Sequence, residues 1–148
     1  MAFHFSLQIL LRLKESQENQ QRMLLAQANT KVQECKLQIE AIEQQLRRND
    51  DHMQNSLKTG LKSAEVQFVS LCREHIQHRR SSLDRELEAR KQWQKECLLA
   101  YQRLHRDREA LDTLRLSQLH RFQLEEGRRE QRKIDDFFLL RREHLRRR

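Results

Sequence analysis

The sequence predicts an all-α fold in which two long helices form an antiparallel coiled-coil hairpin, with a longer second helix that has a C-terminal overhang. Three observations support this prediction. A heptad repeat occupies the first third of the chain, turn signals follow near the middle, and helical periodicity then resumes. The chain has no proline and two glycines, which is typical of long helices. Its low hydropathy is also typical of disorder, but the sustained heptads argue against that alternative.

The N-terminal segment opens with an alternation of apolar and other residues over 3–9, which by itself could form a short strand. The heptad frame of the following helix, extended backwards, includes Leu7 and Leu11. A helix that begins near Ser6, a residue able to cap its first turn, is therefore preferred.

Helix one is predicted over about 6–50, and its heptad positions give the strongest signal in the chain. Nine of them follow one another at alternating steps of three and four: Leu25, Ala28, Val32, Cys35, Ile39, Ile42, Leu46, Asn49 and Met53. So narrow an apolar seam on a polar helix needs a second helix along it. Upstream, Lys14, Glu18 and Gln21 occupy the same frame. They indicate either a polar layer that fixes the register or local fraying.

The turn is predicted at about 51–62, because the segment 49–51 (Asn-Asp-Asp) and the pair Thr59-Gly60 are the turn signals near the middle of the chain. Helix two is predicted over about 63–145. Ser63 can cap its start, and Glu65 places a negative charge at the positive end of the helix dipole.

Helix two carries one apolar stripe near its start and a second series after a phase shift near 76–83. The first stripe comprises Leu61, Ala64, Phe68 and Leu71, widened by Val69, Cys72 and Ile76. The second series comprises Leu83, Leu87, Arg90, Gln94, Cys97, Tyr101, Leu104, Arg108 and Leu111.

A fold at about residue 58 brings the two seams together as one coiled-coil domain, 1–148. It pairs Val32 with Leu83, Leu11 with Leu104, Leu7 with Leu111, and the polar layer at Gln21 with Gln94. In this register helix one reaches only as far as about residue 113 of helix two, so residues 114–148 are predicted to overhang. Gly127 is a candidate hinge there, because glycine weakens a helix by about 1 kcal/mol relative to alanine.

The charge is unevenly distributed along the chain. Residues 1–74 hold 10 Lys/Arg and 9 Asp/Glu, whereas residues 75–148 hold 20 and 13, a net charge of +7. The second half is therefore expected to attract acidic surfaces of protein, membrane or nucleic acid. Three scattered cysteines do not indicate a disulfide framework and fit a reducing compartment. Neither a membrane span nor a signal peptide is predicted.

No motif for catalysis or cofactor binding was found, and we predict a protein that is not an enzyme and needs no cofactor or metal. Cys72, His75 and His78 are spaced i, i+3 and i+6, but helical residues six apart diverge, and a closed zinc site wants four ligands. Basic residues of the second half alternate with acidic ones. This favours a solvated helix face over a basic-zipper nucleic-acid site.

Three stretches of the chain resemble the flagellar FliJ family. The opening is Phe3-x-Phe5-x-Leu7-x-x-Leu10-Leu11-x-Leu13-Lys14, and the start of helix two is Gly60-Leu61-x-Ser63-Ala64-Glu65. The closing half is Leu98-Leu99-x-x-x-x-Leu104-x-x-x-Arg108-Glu109-x-Leu111-x-x-Leu114, followed by Glu130-Gln131-Arg132-Lys133-x-Asp135-Asp136. Two departures are Ser6, where many members have proline, and the bulky pair Phe137-Phe138.

The resemblance implies a component of the flagellar type III export apparatus, which serves bacterial motility. Proteins of this family look like the central stalk of rotary ATPases. The implied role is a stalk between the export ATPase ring and the membrane export gate, which also assists export chaperones and their substrates. The implied location is the cytoplasmic side of the cell membrane, with peripheral contact to the membrane apparatus and no nucleic acid as partner.

Two groups of apolar residues are the candidates for these contacts. The candidates for contact with the ATPase ring lie at the joint end of the N-terminal and C-terminal parts of the hairpin: Phe3, Phe5, Leu7, Leu10, Leu11, Leu111 and Leu114. The candidates for contact with the export gate lie near the turn: Phe68, Leu71, Cys72 and Ile76. Two other classes remain open, a basic coiled coil that binds nucleic acid or an anionic membrane surface, and a structural coiled coil of another complex. Salt dependence and capture of an export ATPase would distinguish them.

Overall fold

The structure is a computed structural model that describes residues 3–60 and 62–146. Two helices account for most of them, α1 (Gln8–Thr59, 52 residues) and α2 (Ser63–Arg146, 84 residues). They lie against each other as an antiparallel hairpin, and no strand occurs within the described ranges. The predicted fold class is therefore confirmed.

The first helix begins two residues later than Ser6. The amide of Gln8 donates to the carbonyl of Phe5 at 3.1 Å, and the amide of Leu11 donates to the carbonyl of Leu7 at 2.9 Å. Ser6 lies in the turn that precedes the helix. Residues 3–5 form neither helix nor strand, so the alternating pattern at the N-terminus does not mark a strand.

The first helix continues through residues 49–59, most of the segment in which a turn was expected. Met53 and Ser56 are half-buried and extend the heptad spacing from Asn49, so packing against α2 holds this segment helical. Asp50 lies in the helix, with Oδ1 3.2 Å from a guanidinium nitrogen of Arg73. The chain reverses direction after Thr59.

Gly60 ends the first helix. Its φ of 85° is in the left-handed region, where glycine avoids the steric cost that a Cβ would bring, and such a residue commonly terminates a helix. At the start of α2 the carbonyl of Lys62 accepts hydrogen bonds from the amides of Glu65 and Val66, at 3.0 and 3.4 Å. Glu65 also supplies the expected negative charge in the first turn.

The helix pair comprises two compact units. The turn unit is Asn19–Gln102, and the terminal unit consists of Met1–Glu18 with Arg103–Arg148. In the turn unit the predicted heptad positions Ala28, Val32, Cys35 and Ile42 are buried. Cys35, Ile42 and Leu83 form the core cluster, with Ile39, Ile76 and Leu87 packed against it.

The predicted register between the helices was wrong by about one helical turn. Gln21 donates to the carbonyl of Cys97 at 3.3 Å, whereas Gln94, its predicted partner, donates to Asn29 at 2.6 Å. Glu43 pairs with Arg80 at 2.7 Å. The chain reverses between Thr59 and Ser63 rather than at about residue 58, and each residue of α1 therefore meets a later residue of α2 than the prediction allowed.

The stripe proposed for the start of α2 faces α1 only through the residues that were expected to widen it. Val69 is buried and Cys72 and Ile76 are half-buried, whereas Phe68 is 67% exposed and Leu71 is 64% exposed; Leu61 lies outside the described residues. The expected phase shift at 76–83 was also wrong. Arg80 is half-buried and continues the heptad spacing between Ile76 and Leu83, while its guanidinium pairs with helix one.

The terminal unit extends farther along α2 than predicted. Phe5 and Leu11 are 4% and 1% exposed, and the rings of Phe3 and Phe122 lie 5.8 Å apart. Half-buried positions on α2 continue as far as Glu126, and from Gly127 to 144 every side chain is exposed. Residues before α1 thus cover part of the segment expected to overhang. The overhang begins near Gly127 rather than at residue 114.

Neither helix, over its described length, contains a stretch that is apolar enough to cross a membrane.

Candidate partner-binding surfaces

A charged layer lies on the seam of the terminal unit, at the position where the heptad frame places Glu18. Oε1 of Glu18 is 2.7 Å from Nδ1 of His105, and Nε of Arg108 donates to its Oε2 at 2.5 Å. The Glu18 side chain is 12% exposed, so most of its carboxylate is removed from water. Of the two predicted alternatives, a polar layer is found here instead of frayed helices.

Electrostatics stabilise the charged form of both Glu18 and Arg108. Burial raises the pKa of Glu18, but hydrogen bonds from His105 and Arg108 and their positive charge outweigh it, so the pKa lies below its usual value. The hydrogen bond to Glu18 is the main cause that raises the pKa of Arg108. Arg108 also donates to Asp112 at 2.7 Å. The layer therefore contains a Glu18–Arg108 ion pair whose two charged forms are stabilised by the contact.

A second ion pair reinforces the layer. Nζ of Lys14 lies 2.7 Å from Oδ2 of Asp107, so two successive turns of α1 are tied to α2 by charge. A polar layer at seam positions favours the one register in which its groups are paired. This arrangement positions the two helices of the terminal unit. Among the described residues, no group of three or more His, Cys, Asp or Glu is arranged to hold a metal ion.

The residues predicted for the ATPase ring all lie in the terminal unit, but they do not form one exposed surface. Phe5 and Leu11 are buried, and Phe3 and Leu111 are half-buried. These side chains hold the helices together and are not available to a partner. Leu7, Leu10 and Leu114 are between 37% and 41% exposed, and they remain candidates for direct contact.

Sequence reasoning missed two exposed apolar residues on the α1 side of this unit. Ile9 is 84% exposed and Leu13 is 52% exposed, and they lie four residues apart on one side of α1. Leu116 on α2 is also exposed and lines a surface cavity of about 290 Å³ with Phe3, Phe5, Gln8, Arg115 and Leu119. The available signal was that Ile9 and Leu13 are apolar yet fall outside the heptad frame.

The residues predicted for the export gate all lie in the turn unit and divide into two kinds. Ile76 packs against the core cluster, and Cys72 is half-buried. Phe68 and Leu71 are exposed, as is Leu57 at the end of α1. A cavity of about 430 Å³ lies beside Phe68; its lining residues are His52, Ser56, Ala64, Glu65, Phe68 and Val69. The exposed apolar group near the turn is therefore Leu57, Phe68 and Leu71.

Comparison with known protein families gives one match across nearly the whole chain. The family described as "Flagellar FliJ protein" matches residues 3–147. No curated protein and no solved structure matches the chain.

Proposed function

This chain belongs to the flagellar FliJ family, and on that premise we propose that it is a non-enzymatic coiled-coil stalk of the flagellar export apparatus. Members of the family are components of that apparatus. The proposal is that this chain links the export ATPase ring to the membrane export gate, on the cytoplasmic side of the membrane. It would also assist the delivery of export chaperones and their substrates.

The observation that carries the proposal is the uneven exposure of apolar residues in a hairpin of two helices. In the terminal unit Leu10, Ile9 and Leu13 project away from the buried seam. Exposed apolar residues that cluster on a helix commonly mark a protein-binding surface. We infer that these residues contact the ATPase ring and that the buried residues Phe5 and Leu11 support them from behind.

A hairpin of two unequal helices has no rotational symmetry, and a ring of identical subunits would meet a different side of it at each subunit. Contacts that differ between subunits stabilise different conformations, because a ligand shifts an equilibrium by its differential affinity for the two states. The stalk would thus influence the state of each ATPase subunit, while the chemistry of ATP hydrolysis stays in the ring.

The exposed group near the turn is the proposed contact with the export gate. Phe68 and Leu71 present large apolar side chains that α1 does not cover, and the cavity beside Phe68 offers a place for a side chain of the partner. Of the four residues predicted from sequence, these two would make direct contact. Ile76 and Cys72 would support them through the packing of the helix pair.

Capture of the purified ATPase tests the first contact. Ile9→Asp with Leu13→Asp should abolish co-purification with the flagellar export ATPase encoded by the same genome. Leu24→Asp is a matched control on α1, since Leu24 is 42% exposed and lies in the turn unit. The Ile9/Leu13 double variant should keep the circular dichroism of the wild type. If this double variant folds and still binds the ring as well as the Leu24→Asp control does, the proposed ATPase contact is wrong.

Binding to the cytoplasmic domain of the gate tests the second contact. Phe68→Ala with Leu71→Ala should weaken it, whereas Leu98→Ala with Leu99→Ala, which removes exposed apolar surface elsewhere on α2, should not. Equal weakening by both double variants would count against a specific gate surface near the turn.

A further inference from the structure

We propose that the C-terminal arm of α2, residues 128–146, binds the surface of membranes that contain anionic phospholipids. The arm lies beyond the last half-buried position of α2, and each side chain over 128–144 is exposed. Neither helix of the hairpin therefore covers this segment. The function proposed above makes no use of it.

The arm carries a compact block of apolar residues. Phe137, Phe138, Leu139 and Leu140 are consecutive and between 60% and 68% exposed, and Ile134 one turn earlier is 50% exposed. Moving apolar side chains of this size from water to the boundary between lipid headgroups and acyl chains lowers the free energy of the system. The block therefore provides the apolar part of a membrane contact.

Positive charge surrounds the apolar block. Residues 128–148 hold nine Arg/Lys and four Asp/Glu. With 3.6 residues per turn, Arg141 shares one side of the helix with Ile134, Phe137 and Phe138, whereas Asp136 lies on the other side. Arginine beside exposed aromatic residues can bind lipid phosphate while the rings enter the interface, and each such cation near an anionic surface strengthens binding.

The arginines next to the block are available for this contact. Neither Arg141 nor Arg142 forms an ion pair with any residue in the described part of the chain, whereas Arg129 pairs with Glu126 at 3.3 Å. Their charges are therefore not neutralised within the hairpin, and a phosphate group would not have to displace a carboxylate.

Two other occupants fit the arm less well than lipid does. A second copy of the arm would bring like charges together, which opposes pairing. A groove on a protein holds a helix through apolar residues at i, i+3, i+4 and i+7. Counted from Ile134, the i+7 position is the cation Arg141 and the i−3 position is Gln131, so the apolar strip is about one turn long. A layer of fluid lipid headgroups adapts to the helix and does not require a longer apolar strip.

The inference is independent of the proposed stalk function, since it uses residues that neither proposed docking surface contains.

Co-sedimentation of the full chain with vesicles tests the proposal. Vesicles of phosphatidylcholine with phosphatidylglycerol should bind at least about tenfold more chain than vesicles of phosphatidylcholine alone. Phe137→Ser with Phe138→Ser should reduce binding by about tenfold or more. Leu98→Ser with Leu99→Ser is the control, because these exposed apolar residues of α2 lie in the turn unit and outside both proposed docking surfaces, and its binding should stay within about twofold of the wild type.

A second pair of variants separates a local contact from general electrostatic attraction. Arg141→Gln with Arg142→Gln should weaken binding much more than Arg47→Gln with Arg48→Gln, although both remove two exposed positive charges. Equal effects of the two pairs would overturn the proposal, as would wild-type binding by the Phe137/Phe138 variant. So would a dimer in sedimentation equilibrium that this variant abolishes, because the occupant would then be a second copy of the chain.

Discussion

Replacing Glu18 by glutamine tests whether the charged layer stabilises the hairpin. Glu18→Gln keeps the size of the side chain but removes the charge that binds both His105 and Arg108. A hydrogen bond to a charged group contributes roughly 1.5–3 kcal/mol when it is well buried. Here the side chains of His105 and Arg108 are 37% and 27% exposed, so solvent screens both contacts. The expected loss in the free energy of unfolding at pH 7 is therefore about 1–2 kcal/mol for the two contacts together.

The pH dependence gives this prediction its sharpest form. The pKa of Glu18 is lower in the folded chain than in the unfolded chain, so its contribution is present above the unfolded pKa and is lost as the pH falls through the folded pKa. The difference between wild type and Glu18→Gln should thus be full near pH 6 and should shrink towards zero in more acidic solution. Urea denaturation followed by circular dichroism at a series of pH values measures it.

Glu15→Gln provides the control, since this substitution removes the same charge from the same helix at an exposed position. Its effect should stay within about 0.5 kcal/mol. A difference between wild type and Glu18→Gln that is equally large at pH 3 and pH 6 would refute the reasoning, because the carboxylate would then not be the stabilising group.

Three further substitutions test the packing and the backbone. Ile42→Ala should lower the free energy of unfolding by about 2–3 kcal/mol, because Ile42 is buried in the core cluster; urea denaturation measures the loss, and a loss below 1 kcal/mol would contradict that burial. Gly60→Ala should cost about 1 kcal/mol in the same assay, because φ at this residue is 85°, and a neutral result would argue against the left-handed turn. Gly127→Ala should instead slow amide hydrogen exchange around residue 127, because the position is helical and a Cβ there meets no atom within 4 Å; unchanged exchange would show that this glycine does not weaken the helix.

The heptad repeat of the first helix was predictable because apolar residues there occupy a single stripe. Ala28, Val32 and Cys35 are buried where the spacing placed them. At the start of α2 two apolar stripes compete, and composition favours the one with Phe68, although the helix buries Val69. Which stripe faces the partner depends on how the turn directs the second helix. A single sequence does not reveal that direction.

Polar residues on the seam account for most of the remaining errors. The phase shift predicted at 76–83 overlooked Arg80, whose stem packs in the seam while its guanidinium reaches Glu43. The segment 49–51 was taken as a turn because asparagine and aspartate are common in turns. The segment is helical because it packs against α2, and there Asp50 pairs with Arg73, a residue that is distant in sequence.

The arginines along α2 explain why this helix pairs with α1 rather than with a copy of itself. Arg80 binds Glu43, Arg90 donates to the carbonyl of Lys31 at 2.8 Å, and Arg108 binds Glu18. These three arginines thus find acceptors on α1. Two copies of α2 placed face to face would instead bring a net positive surface against another, since residues 75–148 hold 20 Lys/Arg and 13 Asp/Glu. Charge therefore opposes self-association of α2 and favours the hairpin within one chain.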